Sequence, residues 1–174
     1  MTTDTWSGNL TTRAGFKFHV RPARPDDEAA LAEFFTQVTP EDLRFRFLSS
    51  IREVGHDRLV ALTQIDHLRT ENFLAFAQLG GPIIATAMLA CDDSLEKGEV
   101  AISVRAEHKN KGVGWKLLDH ISRYADARGI TTLESIESRE NHAAIDLERE
   151  FGFVAEAYPD DPSLIIVRKH LSHL

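Results

Sequence analysis

Apolar residues recur along this chain at two spacings, every second position and every third or fourth, and the switches between them mark out the elements. Phe16 to Arg21 alternates apolar and polar side chains, which predicts a first strand. Pro25-Asp26-Asp27 then opens a helix with acidic residues in its first turn, carrying Ala30, Leu31, Phe34 and Phe35. Pro40 opens a second helix with Leu43, Phe47 and Ile51 in register, and a third runs from His56 to Gln64. Two apolar runs, Asn72 to Leu79 and Ile83 to Ala90, are separated by Gly80-Gly81-Pro82, a hairpin signal. After the turn residues Asp92, Asp93, Lys97 and Gly98, the segment Glu99 to Val104 alternates. Val100, Ile102 and Val104 fall on one face, and Glu99, Ala101 and Ser103 on the other.

A long amphipathic helix starts near Gly112, with Val113, Leu117, Leu118, Ile121 and Ala125 at spacings of three and four. Ile130 to Ile136 reads as a strand, Asn141 to Glu150 as a helix, and Phe153 to Ala157 and Leu164 to Val167 as strands around Pro159-Asp160-Asp161-Pro162. Several antiparallel strands followed by β-α-β-α-β-β make an α+β architecture in one domain over residues 16–174. Residues 1–15 are polar and aperiodic and read as a loose, flexible arm. No internal repeat or low-complexity tract stands out.

A chain of 174 residues, 43% of them hydrophobic, suits one domain with a real core. The 20 basic and 27 acidic side chains give a net charge of −7, which argues against general binding of nucleic acid or of an anionic membrane. The acidic balance suits a cationic partner, and equally serves solubility. Cys91 is the sole cysteine, so no intramolecular disulfide forms and a reducing cytoplasm is expected. It ends an apolar strand and reads as a buried small hydrophobe rather than a nucleophile. No apolar run approaches a membrane span, and the N-terminus shows no apolar signal core. His170 and His173 lack carboxylate or cysteine neighbours in sequence, so no metal is expected there.

The chemistry concentrates in Lys109-Asn110-Lys111-Gly112-Val113-Gly114, between the Glu99 strand and the long helix. Gly112 and Gly114 remove β-carbons where the chain turns, so a ligand can lie against the backbone. The first N–H groups of a helix lack internal partners and sit at the positive end of its dipole, so this turn suits an anion such as pyrophosphate. Lys109 and Lys111 add positive charge. About thirty residues on comes Asn141-His142-Ala143-Ala144-Ile145-Asp146-Leu147-Glu148-Arg149-Glu150-Phe151-Gly152-Phe153.

Together these two segments resemble the GNAT superfamily of acyl-CoA-dependent N-acetyltransferases. Its pyrophosphate loop, Arg/Gln-x-x-Gly-x-Gly/Ala, is matched from Lys109 to Gly114 with Lys in first place. Its second signature, Asn-x-x-Ala-x-x-Leu-Tyr-x-x-x-Gly-Phe, is matched from Asn141 to Phe153 except that Glu148 replaces Tyr. The likeness covers Phe18 to His170. It is closest to the catalytic domain of bacterial Pat-type protein-lysine acetyltransferases, through Val20 to Asp27, Pro40 to Phe47 and Leu62 to Asp66. Those enzymes also lack the tyrosine. Many carry a further regulatory or synthetase domain, for which this chain is expected to have no room.

The resemblance implies the GNAT fold, a mixed central sheet splayed at the cofactor site and flanked by helices. The pantetheine arm of acetyl-CoA then pairs with strand backbone around Ile102, Ser103 and Val104, and the pyrophosphate sits on the N–H groups from Lys111 to Trp115, with Lys109 and Asn110 also in the cofactor-binding stretch. Asn141 and Ala144 lie along the pantetheine, Asn141 also suiting a helix N-cap. A backbone N–H near Ile102 or Ser103 stabilises the oxyanion. Glu99 falls where Pat-type enzymes carry their catalytic glutamate. A lysine of pKa ~10.4 is neutral in about one molecule in 2,500 at pH 7, a shortfall worth roughly 4–5 kcal/mol, so a positioned base is useful.

Glu148 is expected to be ionised, with Arg149 and Arg139 near it, and so to be no proton donor. Phe45, Phe47, Trp115 and Phe151 are read as core or pocket packing, and Arg44, Arg46 and Arg52 as a solvated helix face. Asp66 and Glu71 are candidates for attracting a cationic acceptor beside the cleft. The expected partners are acetyl-CoA and an amine acceptor, foremost a lysine-bearing protein. A small amine acceptor and a non-catalytic acyl-CoA sensor are the alternatives. The oligomeric state is left open.

Overall fold

Alternation puts Phe73 and Ala75 on one face of a strand and Leu74 and Phe76 on the other, and all four are buried, so the sheet that carries them is covered on both sides. In the computed structural model, which describes residues 6–49 and 51–171, that strand is β3 (Thr70–Phe76) of an eight-stranded sheet. The other strands are β1 (Gly8–Thr11), β2 (Lys17–Pro22), β4 (Ile83–Cys91), β5 (Lys97–Val104), β6 (Thr132–Ser138), β7 (Val154–Ala157) and β8 (Leu164–His170). Helices α1 (Glu28–Thr36), α2 (Pro40–Phe47) and α3 (His56–Thr63) precede β3; α4 (Val113–Ala127) links β5 to β6, and α5 (His142–Glu150) links β6 to β7. The strand order is β1-β2-β3-β4-β5-β6-β8-β7, antiparallel throughout except for β5 with β6.

Two apolar layers hold the sheet. Leu117, Leu118, Ile121 and Ala125 of α4 pack with Phe18, Phe73, Ala75 and Val100 on one face. Leu31, Phe34, Leu43, Leu59 and Leu62 of α1–α3 pack with Leu74, Phe76 and Ile83 on the other. Each large apolar side chain taken fully from water contributes roughly 1.5–3 kcal/mol, so the fully buried Phe73 and Leu74 clamp both layers to one strand.

The structure corrects two expectations. The region read as a loose arm over 1–15 contains β1, paired with β2 from Gly8 opposite Val20 to Thr11 opposite Lys17. Trp6 packs edge-on against His120 and Tyr124 of α4, and Thr12 is buried. Helix α2, capped by the Thr39 hydroxyl accepting from the Asp42 N–H at 3.1 Å, stops at Phe47 instead of reaching Ile51. Leu48 takes a left-handed conformation, φ 53°, which ends the helix.

The two edges of β5 set up the site. Towards β4 the strand is paired from Gly98 to Val104. Towards β6 only Lys97, Gly98 and Glu99 are paired, opposite Thr132, Leu133 and Glu134. Past that point each strand is held on its far side. The Arg105 N–H donates to the Ile84 carbonyl and its Nε to the Ile83 carbonyl, both at 2.9 Å or less, and its guanidinium pairs with Glu33 of α1. Meanwhile β6 stays paired with β8 to Ser138. A wedge-shaped gap therefore opens between β5 and β6.

Candidate active site

The gap widens into a cleft of about 380 Å³ between β5, β6, α2, α5 and the start of α4. Glu99, Ile102, Ser103, Val104, Lys109, Asn110, Gly112, Val113, Gly114, Trp115, Asn141 and Ala144 all border it, as the sequence suggested. Lys111 does not. Its ammonium lies over the Phe16 ring, 5.5 Å from the centroid. Lys109 borders the cleft, but its Nζ is 2.5 Å from Asp42 Oδ2 of α2, so much of its charge is already matched.

What the loop offers to an anion is thus mainly backbone. Asn110 (φ 64°) and Gly112 (φ 84°) both take left-handed conformations, and alternating turns of this kind gather N–H groups into a concave nest. Gly112 is the N-cap of α4, whose first turn has no acidic residue to compete for those groups. A β-carbon on Gly112 would stand 3.3 Å from Thr12 Cβ, so Thr12 is the floor of the loop.

Along β5 the backbone groups alternate in direction. The Arg105 N–H reaches β4, whereas the Val100 carbonyl points into the gap, where the Ser135 hydroxyl donates to it at 3.0 Å. By the same alternation the groups of Ile102 and Val104 face the gap and find no strand there. The expected oxyanion donor therefore narrows to Ile102, since the Ser103 N–H faces β4.

Glu99 stands at the last paired position, with its side chain on the α2 face and open to solvent. The low-polarity walls of the cleft push its carboxyl above the usual range; Arg46 opposes this, and Glu134 and Glu137 add to it. Arg46 departs from the solvated face expected for it. It borders the cleft, its buried Nε has no partner, and its Nη2 donates to Met88 Sδ at 3.6 Å. Phe45 also borders the cleft, and Phe47 packs on Phe35.

On the opposite face of β6, Ser135 and Glu137 point towards α5, where they meet Glu148. All three are buried, Glu137 at 8% and Glu148 at 7% exposure. Ser135 Oγ lies 2.6 Å from Glu137 Oε2, and Asn141 Nδ2 is 3.5 Å from Glu137 Oε1. Asn141 also caps α5, accepting from the Ala144 N–H at 3.4 Å.

Here the expectation of an ionised Glu148 fails. Burial, and then the neighbouring Glu137 carboxyl, push Glu148 up to about 10, so it is neutral near pH 7. The arginines invoked to charge it are elsewhere: Arg149 is exposed, and Arg139 donates to the Pro162 carbonyl at 2.6 Å. Sequence reasoning missed Glu137 and Ser135 altogether. The available signal was alternation, which places both on the inward face with the buried Leu133.

Several other candidates fall outside the cleft. Asp66 Oδ1 accepts from the N–H groups of Leu68, Arg69 and Thr70 and so closes a turn. Glu71 is buried against His67 at 2.9 Å. Cys91 is partly buried against the core, which raises its thiol above the usual range. His170 ends β8 opposite Thr132, while His173 lies outside the described residues. No helix among the described residues is long and apolar enough to cross a membrane.

Comparisons with known proteins agree with this geometry. An acetyltransferase of Pseudomonas aeruginosa is 28% identical over 151 residues, covering 86% of this chain and 81% of that protein. The GNAT domain of S. lividans PAT shares the fold with a TM-score of 0.88 at 24% identity, over 96% of this chain and 98% of that one. An acetyltransferase of the GNAT family from Streptococcus pneumoniae superposes with a TM-score of 0.71 at 24% identity, over 89% and 99%. The sequence profile of the acetyltransferase (GNAT) family matches residues 35–153. With that match and a sheet splayed beside a glycine-capped helix, the chain belongs to the GNAT family of acetyltransferases.

Proposed function

We propose that this enzyme transfers the acetyl group of acetyl-CoA to a primary amine, with Glu99 as general base and a protein lysine as the acceptor. The carrying observation is the position of Glu99, at the point where β5 loses its β6 partner and its backbone becomes available. Acetyl-CoA suits the residues present. Its pyrophosphate takes the N–H groups from Lys111 to Trp115, and its pantetheine runs beside Ile102 and Val104 in place of the missing strand. Asn141 contributes a side-chain amide next to that arm.

The amine nitrogen attacks the thioester carbon while Glu99, directly or through one water, takes its proton. The oxygen that gains charge accepts from the Ile102 N–H. A carboxylate whose affinity for protons is raised by its surroundings is better matched to this task than an ordinary one. The protein-lysine assignment is supported by the likeness to Pat-type domains through Arg44-Phe45-Arg46-Phe47 and Thr63-Gln64-Ile65-Asp66, and by the fold shared with S. lividans PAT. Arg46 favours a second reading, in which the acceptor is a small amine bearing an anionic group that the guanidinium, whose Nε has no partner, would meet.

CoA release measured against lysine-bearing proteins and small amines tests the assignment. Labelling of proteins from radioactive acetyl-CoA supports the first reading. Turnover of one small anionic amine without protein labelling supports the second, and no turnover with any amine rejects both.

A further inference from the structure

The gap has a base on one face and a different carboxyl on the other. Strand alternation directs Glu99, in register with Glu134, to the α2 side, and Ser135 and Glu137 to the α5 side, where Glu148 closes the cleft. The Val100 carbonyl, the Ser135 hydroxyl and the Glu137 carboxyl form a chain starting at the crotch of the splay, and Glu148 stands at its end. Both carboxyls border the same cleft as Ile102. A thioester whose oxygen rests on the Ile102 N–H and whose carbon faces Glu99 directs its sulfur away from Glu99, into the α5 side.

Donors are scarce in this cluster. The Ser135 hydroxyl has one hydrogen, already within reach of the Val100 carbonyl and Glu137 Oε2. Asn141 Nδ2 stands at the limit of hydrogen bonding to Glu137. Glu148 Oε1 is buried without any partner. Two carboxylates packed here with both charges would repel each other in low-polarity surroundings, and a thiolate formed beside them would be a third anion. A proton held by the pair and passed to sulfur removes that conflict.

We infer that Glu148 is the proton donor to the departing sulfur of CoA, with Glu137 as the positioning residue that keeps its carboxyl neutral. The step rests on the proposed acetyl transfer. As the tetrahedral intermediate collapses, the carbonyl re-forms, the carbon–sulfur bond breaks with its electron pair going to sulfur, and the Glu148 O–H proton moves to that sulfur. Glu148 is left as a carboxylate and Glu99 as a carboxylic acid. Proton return from Glu99 to Glu148 through solvent restores both, so neutral amine and acetyl-CoA become amide and CoA thiol. Burial raises the proton affinity of the sulfur as it raises that of Glu148, which keeps donor and acceptor matched.

Three variants test it: Glu148→Gln, Glu148→Ala and Glu137→Gln, each with acetyl-CoA affinity measured by calorimetry and kcat followed from pH 6 to 10. Glu148→Gln should lower kcat roughly 30- to 300-fold with affinity changed less than about threefold, and should abolish the alkaline fall in kcat. Glu137→Gln should keep that fall and move it to lower pH, because the partner that favours the neutral acid is gone. A merely structural Glu148 would leave the pH profile of the Gln variant parental. Parental kcat in Glu148→Gln, or an unmoved alkaline limb in Glu137→Gln, overturns the inference while the parent's amine acetylation stands. If the parent acetylates no amine, the proposed function fails by itself, and the slow hydrolysis of acetyl-CoA reads the donor: a Glu148→Ala rate equal to the parent's then overturns it.

Discussion

Along its β4 edge, strand β5 is paired from Gly98 to Val104; along its β6 edge, pairing ends at Glu99. The same seven-residue stretch is thus structural on one side and available on the other. Backbone groups without a strand partner need water or a ligand instead, and past Glu99 the β6 edge of β5 borders a cleft that admits either. The two faces of the gap differ as well. Glu99 is reached by solvent and opposed by Arg46, whereas Glu148 is enclosed and faces a second carboxyl. One residue type therefore meets two environments, a guanidinium beside it on one face and a second carboxyl on the other, and proton affinity follows the surroundings.

The sharpest way to break this contrast is to remove the proposed base, Glu99. Glu99→Gln keeps shape but cannot accept a proton, so turnover at pH 7 should fall by roughly 10²–10⁴. Acetyl-CoA affinity should barely change, and part of the deficit should recover in alkaline buffer, where more amine is neutral. Near-parental activity at pH 7 would assign the base elsewhere.

The open edge is probed next. A β-carbon at Gly114 meets only Leu147 Cδ1, at an ordinary 3.8 Å, so Gly114→Glu should fold while setting a carboxylate against the phosphates. CoA should bind roughly 30- to 100-fold more weakly by calorimetry, about 2–3 kcal/mol. Unchanged affinity would place the pyrophosphate off this loop.

Stability then separates the two glutamates. The folded protein holds the Glu148 proton far above the ~4.3 of an unfolded chain. Its contribution is fully present below that pH and is lost progressively as pH climbs towards the folded value. Glu148→Gln should therefore match the parent near pH 4 and be more stable at pH 8, by about 1–3 kcal/mol in urea unfolding. A constant difference across that range would contradict a buried, protonated Glu148. The smallest effect is expected at Arg46. Its charge holds the Glu99 carboxyl down against burial, so Arg46→Met should move the acid limb of kcat/KM upward by about half a pH unit to one unit. A downward shift would mean that Arg46 does not act on Glu99.

Much of this was readable in advance, for local reasons. The amphipathic periods of α4 and β5 follow from which face is buried, and the glycine-capped turn between them is contiguous in sequence. The short strand β1 was hidden because only Leu10 of its residues packs on the core, leaving no alternation to detect. The end of α2 was hidden because Leu48, neither Gly nor Asn, takes the left-handed turn. Glu148 carried a signal that a charged side chain tends to mask: it lies three residues beyond the buried Ile145, on the same face of α5.

Legible from neighbours a few residues apart were the order of elements after β1, the glycine-capped turn before α4 and a glutamate on the strand leading to it. Which β5 backbone groups are open, which way Arg46 points and whether Glu148 carries a proton were decided only by the tertiary structure. The partners that settle those points, Glu137 for Glu148 and Glu99 for Arg46, come from other elements. Hydrogen-bond direction, burial and proton affinity are fixed by what stands across a gap, and the fold alone brings those surfaces together.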